Sequence, residues 1–341
     1  MQYVTEALKI MEDLNGCLTP PELANVLGGI TIHGVYKALK THEIVSETTT
    51  SRRKRIPPLG IRKLFIERGF VYPKKNISFQ IVKGGVGKTS LSYALGLRAS
   101  HYGAKVLLID LDQQGNLTRS FNIDARELPV WLNVIRDNVS IDKAIVELTD
   151  TLHILPSNLN NSRLDVELTQ STPNLRDMIR DKLSSVRDKY DLVILDCPPA
   201  INKINLSATC ASDMVIIPLN PEPYAMDGLD FTLAELKRMK KEFKLDLDTK
   251  IVWNRYDARE RLGAVYMHAV AKDEDKIKNV LPVVIRVDAS LKNSIFDGRS
   301  IFDFGKKAGI RDDFDQFAKE ILGLNHWSEN QKNSASRNEG K

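Results

Sequence analysis

The fold of this chain is limited first by a glycine-rich stretch at residues 83–90, Lys83-Gly84-Gly85-Val86-Gly87-Lys88-Thr89-Ser90. An apolar, β-branched run at 76–82 precedes the stretch, and residues 91–97, apolar at helical spacing, follow it. A strand, a glycine loop and a helix in this order are the context of a phosphate-binding loop. Glycines let backbone N–H groups turn toward an anion, and the positive end of the following helix points at the same anion. The sequence therefore predicts a phosphate site between a strand and a helix.

The side chains of this loop indicate how a nucleotide would bind. Lys88 offers a point charge to the β- and γ-phosphates, and the Thr89 hydroxyl suits Mg²⁺. Val82 stands where the usual G-x-x-x-x-G-K-[ST] pattern has its first glycine, and a second lysine, Lys83, begins the loop. The loop resembles the deviant Walker A motif, KGGxGKT, of the ParA/MinD family of ATPases. The expected ATP- or ADP-binding residues are Gly84, Gly85, Val86, Gly87, Lys88, Thr89 and Ser90.

Two carboxylate motifs extend this resemblance. The apolar run at 105–110 leads into an element at 110–116, which resembles the family's DxDPQGN with Gln113 in place of Pro. A carboxylate at such a strand end can orient a water for attack on the γ-phosphoryl group. By resemblance, Asp112 takes this catalytic role and Asp110 lies near the Mg²⁺ shell. The apolar strand that ends in Asp196 resembles a Walker B element, which would hold Mg²⁺ through water.

Strands that alternate with helices from 76 to 322 predict an α/β fold, that of a P-loop NTPase with a mostly parallel sheet covered by helices on both faces. The glycine loop, Asp112 and Asp196 all follow strand ends, where such folds bind ligands. Asn254, near the end of a later strand, stands where the family often has an adenine contact. The resemblance implies ATP or ADP and Mg²⁺ as ligands.

Upstream of this domain, residues 18–40 predict two short helices joined by a glycine turn. Thr19 is a good N-cap, and Glu22 completes a capping box with it. Gly28 and Gly29 end the first helix, and Thr31 caps the second. The pair has the helix-turn-helix pattern, although any helical hairpin shares that pattern. The second helix would present the following side chains to a DNA major groove: His33, Tyr36, Lys37 and Lys40.

A basic run follows the helix pair and resembles the wing of a MerR-like winged helix. It comprises Arg52, Arg53, Lys54 and Arg55, and a short helix is expected after it at 59–69. Such runs are usually solvated surface, but beside a helix-turn-helix we expect contacts with DNA phosphates. The sequence therefore predicts a small, mainly α, winged-helix-like N-terminal domain.

Segment boundaries and composition complete the predicted organisation. We expect an N-terminal helix within 1–17, which could pack on its own domain or pair two copies, a DNA-binding domain at 18–72, an ATPase domain at 73–325 and a disordered polar tail at 326–341. No apolar run approaches the roughly 18 residues of a membrane helix. The 3 cysteines are scattered and odd in number, so neither a disulfide framework nor a zinc site is expected, and the predicted location is cytoplasmic.

The resemblance to the ParA family implies a function in DNA partition. ATP would assemble a sandwich homodimer in which Lys83 of one subunit reaches the phosphates of the other. The dimer would bind nucleoid DNA without sequence preference, and a ParB-like protein bound at a centromere-like site would stimulate weak ATP hydrolysis. The N-terminal domain resembles that of longer, plasmid-type partition ATPases, which repress their own operon. An alternative is a transcriptional repressor whose loop only senses nucleotide, whereas a membrane role is disfavoured because the tail lacks an amphipathic apolar face.

Overall fold

The computed structural model describes residues 17–48, 54–170, 176–222, 224–296, 300–302 and 309–339. The predicted helix within 1–17 and two of the basic residues, Arg52 and Arg53, lie outside the described residues. The N-terminal unit, residues 17–72, contains α1 (Pro20–Val26), α2 (Ile32–Thr41), β1 (Glu47–Thr48), β2 (Lys54–Arg55) and α3 (Pro58–Glu67).

The α/β unit, residues 75–322, carries the larger sheet. Its strands are β3 (Lys75–Phe79), β4 (Val106–Asp110), β5 (Val146–Thr149), β6 (Leu152–Leu155), β7 (Leu192–Asp196), β8 (Met214–Leu219), β9 (Asp248–Tyr256) and β10 (Val280–Arg286). Its α-helices are α4 (Lys88–His101), α5 (Asn116–Ser120), α6 (Trp131–Arg136), α7 (Ile141–Ala144), α8 (Leu164–Gln170), α9 (Met178–Ser184), α10 (Lys203–Cys210), α11 (Ala225–Phe243), α12 (Arg261–Ala271), α13 (Glu274–Ile277), α14 (Ser290–Phe296) and α15 (Gly309–Leu322). Short 3-10 helices lie at Leu159–Arg163, before α8, and at Arg187–Lys189, before β7. A final helix, α16 (Leu324–Glu339), follows the unit.

The sheet order is β10-β9-β8-β3-β7-β4-β6-β5. Neighbouring strands run parallel throughout the described sheet except for β5, which pairs antiparallel with β6. Side chains alternate between two buried faces along β4, since Val106 and Leu108 join the core beneath α4 and α15, whereas Leu107 and Ile109 join the core beneath α6, α9 and α10. The predicted α/β fold, with a mostly parallel sheet covered on both faces, is confirmed. Because β3 lies between β7 and β8, the glycine loop leaves the sheet near its middle.

Local signals in the N-terminal unit act as the sequence indicates. The Thr19 side chain accepts from the Glu22 backbone N–H, and the Glu22 carboxylate accepts from the Thr19 N–H, so the capping box of α1 is present. Thr31 caps α2 by accepting from the backbone of Gly34. Gly28 and Gly29, between the two helices, have φ angles of +86° and +77°, which an L side chain rarely adopts. The unit therefore contains two capped helices joined by a glycine turn, followed by the short antiparallel β1–β2 pair, and its winged helix-turn-helix character stays a prediction.

The N-terminal unit shares its hydrophobic core with the α/β unit. Leu23 of α1 and Phe65 of α3 belong to the same buried cluster as Leu95 of α4 and Phe317 of α15. Burying apolar surface between the units favours their association at about 25 cal/mol per Å². The two predicted domains are thus packed as one body, and the N-terminal unit cannot be removed without exposing core side chains.

The predicted disorder of the tail is wrong for residues 326–339, because they belong to α16. Trp327 lies with its ring centroid 5.1 Å from that of Phe65 and 5.3 Å from that of Phe70. Gln331 donates to the Arg68 carbonyl at 3.4 Å. The tail has few aliphatic residues, but a large aromatic side chain anchors its first turns on the N-terminal unit, which tertiary packing alone decides. None of the helices in the described ranges has the length and apolar character needed to cross a membrane.

Candidate nucleotide-binding site

The glycine loop connects β3 to α4 with two left-handed glycines. Gly85 has a φ of +74° and Gly87, the residue before α4, has a φ of +92°. A Cβ on Gly87 would lie 2.2 Å from the Asn254 Nδ2 atom, so a side chain there would be both strained and blocked. The helix that follows directs its positive end at the loop. The local geometry is therefore compatible with the predicted anion site.

A cavity of about 630 Å³ opens at this loop. Predicted site residues among its lining are Gly85, Gly87, Lys88, Thr89, Ser90, Asp112 and Asn254. The lining also includes residues of β10, the segment after it, α14 and α15 that the sequence did not single out, among them Arg286, Asp288, Lys292 and Phe314. This volume lies within the range of cofactor sites. Three predicted loop residues, Lys83, Gly84 and Val86, lie outside the lining.

Lys88 is buried at the base of the loop. Its Nζ donates to the Ile81 carbonyl at 3.5 Å and to the Lys83 carbonyl at 3.4 Å. Burial lowers the pKa of Lys88, and the nearby Asp196 carboxylate opposes that shift. Because both contacts are long, an anionic oxygen would be a stronger acceptor for this ammonium group. The side chain is thus available for a phosphate without breaking a strong bond.

Asp196 ends β7 beneath the loop and is fully buried. Its Oδ1 accepts from the Ser92 hydroxyl at 3.2 Å, and the Thr89 hydroxyl also hydrogen-bonds the carboxyl group. Its Oδ2 is buried and has no hydrogen-bond partner in the described part of the chain. Burial raises the pKa of Asp196, while Thr89 and Lys88 oppose the rise. An oxygen set with one orphaned carboxylate atom fits the hard-oxygen preference of Mg²⁺. Ser92, one helical turn after Lys88, was missed because a serine on a helix carries no distinct signal.

Asp110 ends β4 in register with Asp196 on β7. Its Oδ2 accepts from the backbone N–H and hydroxyl of Thr118, at 2.9 and 2.7 Å, and its Oδ1 accepts from the Asp112 N–H at 3.2 Å. Burial raises the pKa of Asp110, and the nearby Asp196 carboxylate raises it further. The side chain therefore organises the turn that carries Asp112. Both carboxylate oxygens of Asp110 already accept hydrogen bonds. Metal binding by this residue stays a prediction.

Asp112 is half-buried and lines the same cavity as Lys88 and Thr89. Its Oδ1 accepts from the Gln114 N–H at 2.9 Å. Its backbone carbonyl accepts from the Ser157 hydroxyl at 2.7 Å, which anchors the turn on the segment after β6. The carboxylate is thus held at the cavity and open to it. Its predicted role in orienting a water is compatible with this position and stays a prediction.

Lys83 lies apart from the cavity of its own chain. Its Nζ is 3.5 Å from Glu222 Oε1, an oxygen that also accepts from Asn220 Nδ2 at 2.8 Å. Both charged side chains are partly solvent-exposed, at 30% for Lys83 and 46% for Glu222, so this ion pair is weak. The two loop lysines therefore have different surroundings, since Lys88 lines the cavity and Lys83 does not.

Asn254, predicted to contact adenine, is hydrogen-bonded to the loop itself. Its Nδ2 donates to the Val86 carbonyl at 2.7 Å, and the next residue, Arg255, donates through Nη1 to the Gly85 carbonyl at 2.9 Å. An adenine contact by Asn254 stays a prediction. Arg255 was missed because an arginine at a strand end is ordinarily surface.

The predicted DNA-contacting residues of α2 lie on one exposed face of that helix. His33, Tyr36, Lys37 and Lys40 are exposed, whereas the opposite face packs inward through Val35, Ala38 and Leu39. Lys54 of β2 has its Nζ 5.8 Å from the centroid of the Tyr36 ring, so the wing lies beside this face. Arg55 is half-buried. The polar surface of α2 and the described end of the wing are therefore contiguous.

Comparisons with known proteins agree with this geometry. A family model described as an AAA domain matches residues 74–249. The sporulation initiation inhibitor protein Soj of Bacillus subtilis (strain 168) is 32% identical over 237 residues, covering 66% of this chain and 92% of Soj. The chromosome partitioning protein ParA of Caulobacter vibrioides (strain NA1000 / CB15N) is 30% identical over 226 residues, covering 63% of this chain and 83% of that protein. A solved complex of Cyanothece McdA with ATP has a TM-score of 0.66 at 23% identity, over 74% of this chain and 98% of McdA, which shows a shared fold.

Proposed function

Because the chain belongs to the ParA/MinD family of ATPases, we propose that it is a DNA-partition ATPase that also represses its own operon through the N-terminal unit. The proposal rests on one cavity that is lined by Lys88, Thr89 and Asp112. The N-terminal unit of the same chain has a second helix with an exposed, polar face. The relatives named for chromosome partitioning support the partition role.

ATP hydrolysis would use the groups that line or underlie the cavity. Lys88 and the loop N–H groups would hold the phosphates, and Asp112 would orient the attacking water. Thr89 and Asp196 would hold Mg²⁺, which would neutralise charge on the phosphates. The hydrogen bond between Thr89 and Asp196 supports this pairing of ligands.

Lys83 would act across a sandwich homodimer assembled by ATP. Its position outside the cavity of its own chain supports this role, since its weak ion pair with Glu222 can be exchanged for a phosphate of the partner. The ATP-bound dimer would bind nucleoid DNA without sequence preference. Exposed lysines of α11 and of its C-cap offer the charge for such binding, namely Lys237, Lys241 and Lys244. A ParB-like protein at a centromere-like site would stimulate hydrolysis and release the dimer.

The N-terminal unit would bind an operator. The exposed face of α2 suits a major groove, and the basic wing, including Arg52 and Arg53 outside the described residues, would contact adjacent phosphates. A specific observation also favours a second candidate, a nucleotide-sensing repressor with little partition role. Arg98 of α4 hydrogen-bonds Glu22 of α1, so the helix that begins at the phosphate site ends on the DNA-binding unit.

The deciding experiment is a comparison of steady-state ATPase rates for the protein alone, with random DNA, and with DNA plus the protein encoded beside it. A partition ATPase should show low intrinsic turnover that rises when both are added. If the rate stays at its intrinsic level while operator affinity depends on nucleotide, the repressor function is the correct one. Asp112→Ala serves as the background control, because it removes the proposed water-orienting carboxylate.

A further inference from the structure

We propose that Asn254 and Arg255 are positioning residues that hold the glycine loop in its phosphate-binding conformation before the nucleotide arrives. The inference deepens the proposed function, since it rests on the loop being a nucleotide site. Both residues lie near the end of β9, far from the loop in sequence and adjacent to it in space. They contact the loop by donating to its backbone carbonyl groups.

The two hydrogen bonds fasten consecutive carbonyl groups. Arg255 holds the Gly85 carbonyl at 2.9 Å, and Asn254 holds the Val86 carbonyl at 2.7 Å. In a planar trans peptide the N–H points opposite to the C=O. The N–H groups of Val86 and Gly87 are therefore turned away from the two β9 side chains and left for an anion. Without these two donors, carbonyl oxygens of a flexible glycine loop could rotate toward the phosphates and repel them.

The fit between β9 and the loop is close on both sides. Asn254 Nδ2 fills the space that a Cβ on Gly87 would need, at 2.2 Å, so the glycine and the asparagine are complementary. Arg255 has a φ of +54°, a left-handed conformation that is uncommon outside glycine and that persists where the surroundings require it. This backbone turn accompanies the placement of the guanidinium group on the Gly85 carbonyl. A surface arginine with no role in the loop would need neither the left-handed backbone nor the contact with the Gly85 carbonyl.

The test measures loop order and nucleotide affinity separately. Asn254→Ala, Arg255→Ala and Arg255→Lys would be compared with Arg259→Ala, an exposed arginine nearby that pairs with Asp257. The readouts are hydrogen exchange of the loop amides without nucleotide and the Kd of fluorescent ATP and ADP analogues. We expect faster loop exchange and about tenfold weaker binding of both nucleotides in the two alanine variants, because less of the loop is binding-competent. Arg255→Lys should recover part of the affinity, because a lysine can still donate to the Gly85 carbonyl.

Each other outcome overturns the proposal or a part of it. Unchanged exchange and unchanged Kd in Arg255→Ala would show that the carbonyl contact has no positioning role. Unchanged loop exchange with a loss of preference for adenine over guanine nucleotides in Asn254→Ala would show that this side chain recognises the base instead. If Asn254→Ala fails to fold, the loop exchange and the Kd of Arg255→Ala, a change at an exposed side chain, test the proposal alone. Failure of the unchanged protein to bind ATP would overturn the proposed function itself, which is a different result.

Discussion

Arg98, on the helix that follows the glycine loop, donates through Nη2 to the Glu22 carboxylate on the first helix of the N-terminal unit, at 3.2 Å. Arg311 donates to the same carboxylate oxygen at 2.6 Å, and the Nε of Arg98 donates to Asp315. Arg98 is only 3% exposed, so these charges are paired inside the molecule. Removing one partner of such a cluster leaves a buried charge uncompensated, which is strongly destabilising. The helix that follows the glycine loop and the N-terminal unit are therefore joined by charge as well as by apolar packing.

Glu22→Gln should lower stability and flatten its dependence on acid. Burial would raise the pKa of Glu22, but Arg98 and hydrogen bonds from Thr19 lower it to about 2, from an ordinary 4.5. A depressed pKa contributes stability that is present above pH 4.5 and is lost as the pH falls toward 2. At pH 7 the variant should lose on the order of 2–3 kcal/mol of unfolding free energy.

Urea denaturation of this variant at pH 7 and at pH 3 provides the measurement, with Glu127→Gln, an exposed glutamate, as the matched control. The difference between variant and unchanged protein should shrink at pH 3, since Glu22 is then partly protonated in the unfolded chain. A constant difference at both pH values would show that the ionised carboxylate is not the stabilising group.

Lys88→Ala and Asp112→Ala should separate binding from hydrolysis. The first removes a buried ammonium group from the loop, so nucleotide binding should be abolished. The second removes a carboxylate that lines the cavity without holding the loop, so ATP binding should persist while turnover falls by about 10²- to 10⁴-fold. Equilibrium titration with an ATP analogue and a phosphate-release assay measure the two quantities. Equal loss of ATP affinity in both variants would contradict the assignment of Asp112.

Lys83→Ala should retain ATP affinity and lose ATP-dependent dimers. The reason is that Lys83 lies outside the cavity of its own chain, paired with Glu222. Multi-angle light scattering with ATP in an Asp112→Ala background, where hydrolysis does not deplete the nucleotide, measures the dimer. Lys272→Ala, an exposed lysine after α12, is the control. Normal ATP-induced dimers of the Lys83 variant would make the role across the dimer wrong.

DNA binding should occur in two separable modes, which substitutions can distinguish. The combined variant Tyr36→Ala and Lys37→Ala should lose operator binding but keep ATP-dependent binding to random DNA. The variant Lys237→Ala and Lys241→Ala should weaken random binding and reduce its salt dependence, with a log–log slope change of about 0.9 for each lost phosphate contact. Substitution is preferable to deletion of the N-terminal unit, because deletion would expose the core that Leu23 and Phe65 share with α4.

Anisotropy titrations on operator and random duplexes, with ADP and with ATP, measure both modes. Lys143→Ala, an exposed lysine of α7, controls for a general change in charge. Loss of both modes in the Tyr36 and Lys37 variant would mean that a single surface serves all DNA binding. Undiminished operator binding in that variant would remove α2 from the interface.

Features that depend only on residues close together along the chain could be predicted from the sequence by itself. The glycine loop, the capping box of Thr19 with Glu22 and the N-cap at Thr31 are short-range devices, and each forms where the sequence predicts it. The apolar runs that end at Asp110 and Asp196 are buried on both faces, which already requires a parallel sheet with helices on each side. Fold class, family and the positions of the main cavity residues could therefore be predicted.

Only the tertiary structure decides how distant segments meet. Glu22 caps its own helix and also binds Arg98, and Asn254 hydrogen-bonds the glycine loop. Trp327 anchors a tail that composition alone predicts to be disordered. None of these contacts leaves a periodic or local signal, because partners that meet through packing can stand at any separation along the chain. A charged, amide or aromatic side chain has the same local pattern whether it faces water or a buried partner, and burial in the folded chain determines which of these it does.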